Sequence, residues 1–271
     1  KIINSTDNIL ISVMVGTLHI GAYGSYTMLL NPLKIILNQF RSATKGSIGN
    51  LMAEKNNRHT ETVLKRLTFI TYCPTIIATA GFYTVSTPFI RLLYGEMYTL
   101  PMHVVLVCAV NLLIYIIKNP LWSMLEVSGL FKEDKNISIA GNIVNLLVSV
   151  ILGKKLGISG IVIGTICSLI VQHMMKIHLF FHDFLHFSSA SYVDLLLKEV
   201  AVGILCLLSV KSVCAFITIS NLYWQILLYG FISVFLTIGI NFLLFRSLPE
   251  FAYMIQIGKS MLSEKMGRER K

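Results

Sequence analysis

The stretch Gly141–Ile170, GNIVNLLVSVILGKKLGISGIVIGTICSLI, decides how this chain folds. Two apolar runs flank a connection, Gly153–Gly160, that leaves room for a tight reversal and little else. In the second run Gly160, Gly164 and Ser168 recur every fourth residue and share one helix face. Small residues at that spacing let helix backbones approach closely in a bilayer, where packing rather than hydrophobicity drives association. The stretch reads as two antiparallel membrane helices.

The remainder of the chain follows suit. Apolar runs cover roughly 2–18, 21–40, 67–93, 101–125, 137–153, 156–180, 195–219 and 222–246. A hydrocarbon core about 30 Å thick takes about 20 apolar residues in a helix. Eight such runs in series cannot all be buried inside a soluble domain of 271 residues. Composition agrees, with 55% hydrophobic and 13% charged residues and a mean hydropathy of +0.72. A β-barrel would alternate apolar and polar positions, whereas Val104–Tyr115 and Ile161–Ile170 are apolar on both strand faces. The fold class is all-α, a polytopic membrane helix bundle.

The net charge of +10 does not point to nucleic acid, because the basic residues flank hydrophobic spans. Arg41, Lys45, Lys55, Arg58, Lys65, Arg66, Lys132, Lys135, Lys176, Lys198 and the tail fall in connections on one side; Arg91, Lys154, Lys155 and Lys211 fall on the other. The positive-inside rule makes the heavier side cytoplasmic and places the C-terminus there. Past Pro249, Phe251, Met254, Ile255, Met261 and Leu262 recur at helical spacing beside Lys259, Lys265 and Arg268. That pattern fits an amphipathic helix on an anionic leaflet, or equally a solvated tail. Five cysteines scattered within the spans argue for packing rather than disulfides or a metal site. Pro74 stands inside the third span, where it removes a backbone hydrogen bond. The polar connection 45–65 reads as a loop that turns helical over Thr60–Arg66. The chain starts with Lys, and its first span is short and carries Asp7. It reads as the C-terminal part of a longer protein whose first visible helix is cut.

The hairpin Gly141–Ile170 resembles the one in polysaccharide flippases of the Wzx type, within the multidrug/oligosaccharidyl-lipid/polysaccharide exporter superfamily. Three further pieces resemble that family in the same order: Ser5–Tyr26, STDNILISVMVGTLHIGAYGSY; Ala43–Ala53, ATKGSIGNLMA; and Gly129–Lys135, GLFKEDK. The resemblance implies two six-helix lobes, of which residues 1–181 form the second with its first helix truncated. Residues 182–246 then form an additional transmembrane pair, and 247–271 a cytoplasmic basic amphipathic tail. It also implies a multi-pass protein of the bacterial plasma membrane that flips a polyprenyl-pyrophosphate-linked oligosaccharide for capsule, O-antigen or exopolysaccharide synthesis. Its partners would be that lipid-linked oligosaccharide, membrane lipids and other polysaccharide-assembly proteins.

Ionisable groups at mid-membrane cost about 2.5–3.5 kcal/mol on insertion scales and so face protein or a watery cavity. Lys34 and Lys118 stand in such positions, either as ligands for the lipid pyrophosphate or as snorkelling or structurally paired cations. Arg41 and Lys45 at the inner mouth attract the same headgroup or serve only as topology charges. In relatives an acidic residue on the opening helix, with polar groups of the hairpin, holds a sodium ion. Asp7, Asn142, Asn145, Ser149 and Thr165 match that set; they bind a coupling sodium ion or proton, or simply hydrogen-bond across helices. No further cofactor is expected. His173, His178, His182 and His186, with Asp183, read as a partly solvated interfacial group rather than a metal site. No catalytic triad, paired-carboxylate or phosphate-loop pattern appears, so an enzyme is not expected. Two rivals stand beside the flippase. A drug/cation antiporter of the same superfamily would favour acids over Lys34 and Lys118. A membrane polymerase or acyltransferase would need outer connections longer than these.

Overall fold

The computed structural model describes residues 2–53, 56–217 and 219–268, without the side chains of 2–5, 17, 18, 40, 42–45, 47, 50, 52, 53 and 261–268. Among the described residues every regular element is a helix. In chain order these are α1 (Ile2–Met14), α2 (Thr17–Ala53), α3 (Asn57–Tyr94), α4 (Met102–Ile117), α5 (Asn119–Ser128), α6 (Phe131–Leu156), α7 (Ile158–His178), α8 (Ala190–Ala215), α9 (Leu222–Phe245) and α10 (Pro249–Arg268). A short 3₁₀ turn follows α3, and a π-helical turn, Leu179–Phe184, extends α7.

Local chemistry sets the boundaries. The Asn56 side chain accepts from the His59 N–H at 3.1 Å and starts α3; Asn221 does the same for α9, accepting from Tyr223 N–H at 2.9 Å. Each satisfies a donor that the first helical turn leaves orphaned. The reversal between α6 and α7 is tighter than the sequence suggests. Helix α6 runs on to Leu156, so Gly157 alone turns the chain, at φ 59°. Behind that turn a Cβ on Gly160 would fall on the Leu152 carbonyl, and one on Gly164 would fall on Ser149. Ser149 Oγ donates to the Ile161 carbonyl at 3.0 Å, and Ser168 Oγ donates to the Gly141 carbonyl at 2.8 Å. The stripe of small residues is the α6–α7 contact itself.

One expectation needs correction. The connection 45–65 is mostly helix: α2 continues to Ala53 and α3 begins at Asn57. Gly46 and Gly49 look like breakers, yet a glycine costs a supported helix only about 1 kcal/mol. The span 101–125 is present as one membrane-length segment, Met102–Ser128, made of two helices, α4 and α5. It breaks at Lys118, because Pro120 has no N–H for the Ile116 carbonyl.

Five helices are long and apolar enough to cross a membrane: Asn57–Tyr94, Met102–Ser128, Phe131–Leu156, Ile158–Phe184 and Leu222–Phe245. Helix α2 is less apolar than these, with Asn31, Lys34 and Asn38 in the run expected to span. Helix α8 carries Asp194, Lys198, Glu199 and Lys211. On α9, Leu227, Phe231, Phe235 and Leu243 are exposed, a face suited to lipid. Ion pairs Arg41–Glu126, Lys176–Asp134 and Lys65–Glu250 tie the basic connections together at one end of the bundle. The π-helical turn carries His182 and Asp183.

Candidate functional site

The break at Lys118 builds the site. Beside it a cavity of about 440 Å³ lies among α2, α4, α5, α6 and α7. Lys34, Arg41, Lys118, Asn142 and Thr165, named above from the sequence, all line it. The side chain of Lys45 lies outside the described residues.

The cations are arranged over aromatic rings. The ammonium groups of Lys34 and Lys118 lie 5.0 and 4.7 Å from the Tyr115 centroid. Those of Lys118 and Lys176 lie 3.4 and 3.3 Å from the Trp122 ring. Lys176 also pairs with Asp134, and Arg41 pairs with Glu126 while its Nε donates to Ser123 Oγ at 3.1 Å. Arg41 is therefore a neutralised cation, bound to α5. Lys34 and Lys118 differ: among the described residues no carboxylate stands within 4.0 Å of either. Lys118 is only 5% exposed. A cation–π contact returns about 0.5–2 kcal/mol, whereas burying an ion costs several kcal/mol. The rings hold the ammonium in place without offsetting its desolvation, and an anion in the cavity would complete the balance.

A smaller cavity of about 70 Å³ adjoins the first, and Lys34 and Asn111 line both. Asp7 lies in it, 3% exposed. Thr165 Oγ donates to its carboxylate at 3.1 and 3.2 Å, and Asn145 Nδ2 donates to Thr165 Oγ at 2.9 Å. Asp7, Thr165 and Asn145 thus form one connected group spanning α1, α7 and α6. Ser149 is engaged by the Ile161 carbonyl, and Asn142 faces the larger cavity one turn away. Carboxylate, hydroxyl and amide are hard oxygen donors, a set that fits an alkali cation.

Reading the sequence missed Lys176 and Trp122. Lys176 counts there only as a topology charge, and nothing local announces that it meets Trp122 across the cavity. The histidines do not form one interfacial group. His173 is buried, 9% exposed, with neither ring nitrogen hydrogen-bonded among the described residues. His178 and His182 are exposed and stacked at 4.8 Å, beside Asp183.

Neither a protein-family model nor a curated protein matches the sequence. The fold is similar to that of a solved flippase, "Lipid II flippase MurJ, inward closed conformation", with a TM-score of 0.60 and 16% sequence identity. The match covers 89% of this chain and 52% of that one. At this identity the shared property is the fold, and the chain, spanning about half the length of that flippase, has its helical membrane architecture.

Proposed function

We propose that this chain forms the C-terminal lobe of a flippase that moves a polyprenyl-pyrophosphate-linked oligosaccharide between the leaflets of a bacterial plasma membrane, in the manner of the Wzx-type proteins. Residues 1–181 form the lobe, α8 and α9 add a helix pair, and the basic end of the bundle faces the cytoplasm. The observation that carries this reading is the cavity in which, among the described residues, no carboxylate stands within 4.0 Å of Lys34 or Lys118. A diphosphate offers both ammonium groups charge-assisted hydrogen bonds, while Glu126 and Asp134 in the same cavity are paired with Arg41 and Lys176. An open apolar groove of about 420 Å³ between α2, α3 and α9, lined by Leu33, Phe82, Val85, Phe89 and Val234, suits the isoprenoid tail outside the cavity. The Asp7–Thr165–Asn145 group binds the coupling ion, sodium or a proton. Lys34 touches both compartments, so cargo charge and ion occupancy are felt by one side chain. Alternating access of the two lobes then carries the headgroup across, with other polysaccharide-assembly proteins supplying and consuming the cargo.

An antiporter for cationic drugs would place carboxylates where Lys34 and Lys118 stand. Depleting the full-length protein in its host tests the reading. Lipid-linked oligosaccharide should accumulate on the cytoplasmic leaflet and be cleared by wild type but not by Lys118→Ala. Undiminished display on the outer leaflet during depletion would reject it.

A further inference from the structure

Glu199 of α8 takes no part in either cavity. It is 0% exposed, and neither of its carboxyl oxygens has a hydrogen-bond partner among the described residues. Helix α8 packs on α3 and α9, and α10 packs over α3. The groups of these elements that face Glu199 can be named. From α3 come Tyr72 and Cys73, from α8 Tyr192, and from α10 Glu250; the buried polar side chains of α9, Ser233, Thr237 and Asn241, are neutral.

Charge does not balance in this group. Lys65 pairs with Glu250 at 3.3 Å and donates to Ser191 Oγ at 2.9 Å. Glu61, one turn before Lys65, is buried with Oε1 unpartnered. Lys198, next to Glu199 in sequence, turns outward to Asp194 at 2.6 Å. An ionised Glu199 would therefore be buried without a counter-ion, beside a second carboxyl on α10. Such a charge costs several kcal/mol, and the Glu250 carboxylate adds like-charge repulsion. Tyr72, also 0% exposed, leaves its hydroxyl without a partner in the same group. An alkali ion would need several converging oxygen ligands, and among the described residues no hydrogen-bonding partner stands at this carboxyl.

We propose that Glu199 is a proton-binding site, separate from the central cavity and capped by α10. Uptake of one proton converts the carboxylate to the neutral acid and releases nothing else. The cap is a set of contacts at the start of α10. Besides Glu250–Lys65, the Arg66 guanidinium lies 4.1 Å from the Tyr253 ring centroid, and the Phe251 ring lies 6.2 Å from that of Phe69. While these hold, the proton is sealed from solvent; when α10 lifts, it exchanges.

Infrared spectroscopy of the full-length protein in lipid at neutral pH tests this. The protonated-carboxyl C=O band should lose one residue's intensity in Glu199→Gln, an isosteric neutral variant. In wild type that intensity should shift slowly on transfer to D₂O, and at least tenfold faster in Glu250→Gln, which loosens the cap while leaving Glu199 in place. An undiminished band in Glu199→Gln would overturn the proton site. Equal exchange rates in wild type and Glu250→Gln would overturn the role of α10. The leaflet distribution of cargo does not enter, so this inference fails or stands apart from the flippase reading.

Discussion

Lys118 is held by aromatic faces where most buried lysines meet a carboxylate, and Trp122 makes that visible. This chain has two tryptophans, so replacing Trp224 and any tryptophan in the rest of the full-length protein by Phe leaves Trp122 as the reporter. Adding a polyprenyl diphosphate should change Trp122 emission as the ammonium leaves the ring for the anion. Lys118→Ala should weaken binding about 10- to 150-fold, the equivalent of one charge-assisted bond of about 1.5–3 kcal/mol. Unchanged affinity would remove Lys118 from the site. At Asp7 the expectation is thermal. Sodium should stabilise the full-length protein over potassium, by about 2.7 kcal/mol at a hundredfold excess over the dissociation constant. Asp7→Asn and Thr165→Val should each abolish that difference; its persistence in Asp7→Asn would clear the carboxylate of the role.

Among the elements, the α6–α7 hairpin is the most constrained. Gly160→Ala drives a Cβ into the Leu152 carbonyl, a backbone atom that cannot step aside. Overpacking of this kind costs about 1–3 kcal/mol. Gly239→Ala on α9 has nothing within 4 Å of the new methyl and should be neutral or stabilising by up to about 1 kcal/mol. Melting the two variants in the same detergent checks the contrast; equal midpoints would mean that the hairpin is not closely packed. The hairpin is also what the sequence reveals best, since small residues four apart mark a helix face without knowledge of any partner. Asp7, Asn145 and Thr165 were picked out through the family resemblance, and the structure joins them by hydrogen bonds. Lys176, Trp122 and Glu199 were not, because their meaning depends on what they meet: Trp122 for Lys176, two ammonium groups for Trp122, and no counter-charge for Glu199. The α4–α5 break was hidden by hydropathy, which stays high across Pro120.

For the whole molecule, a helical membrane fold with a cationic cavity at its polar helices is compatible with moving an anionic headgroup past a lipid-facing surface. The cavity borders α2, whose run 21–40 is less apolar than the five candidate spans because Asn31 and Lys34 face the two cavities. The central claim is that this architecture flips a diphosphate-linked lipid sugar, and vesicles test it most directly. The full-length protein would be reconstituted with a fluorescent polyprenyl-diphosphate oligosaccharide, and the leaflet distribution read by an impermeant quencher. Transfer between leaflets should appear with wild type, fall at least tenfold in the Lys34→Ala/Lys118→Ala double variant, and be absent from protein-free vesicles. Transfer by the double variant at the wild-type rate would contradict the cationic site, and no transfer by folded wild type would contradict the flippase itself.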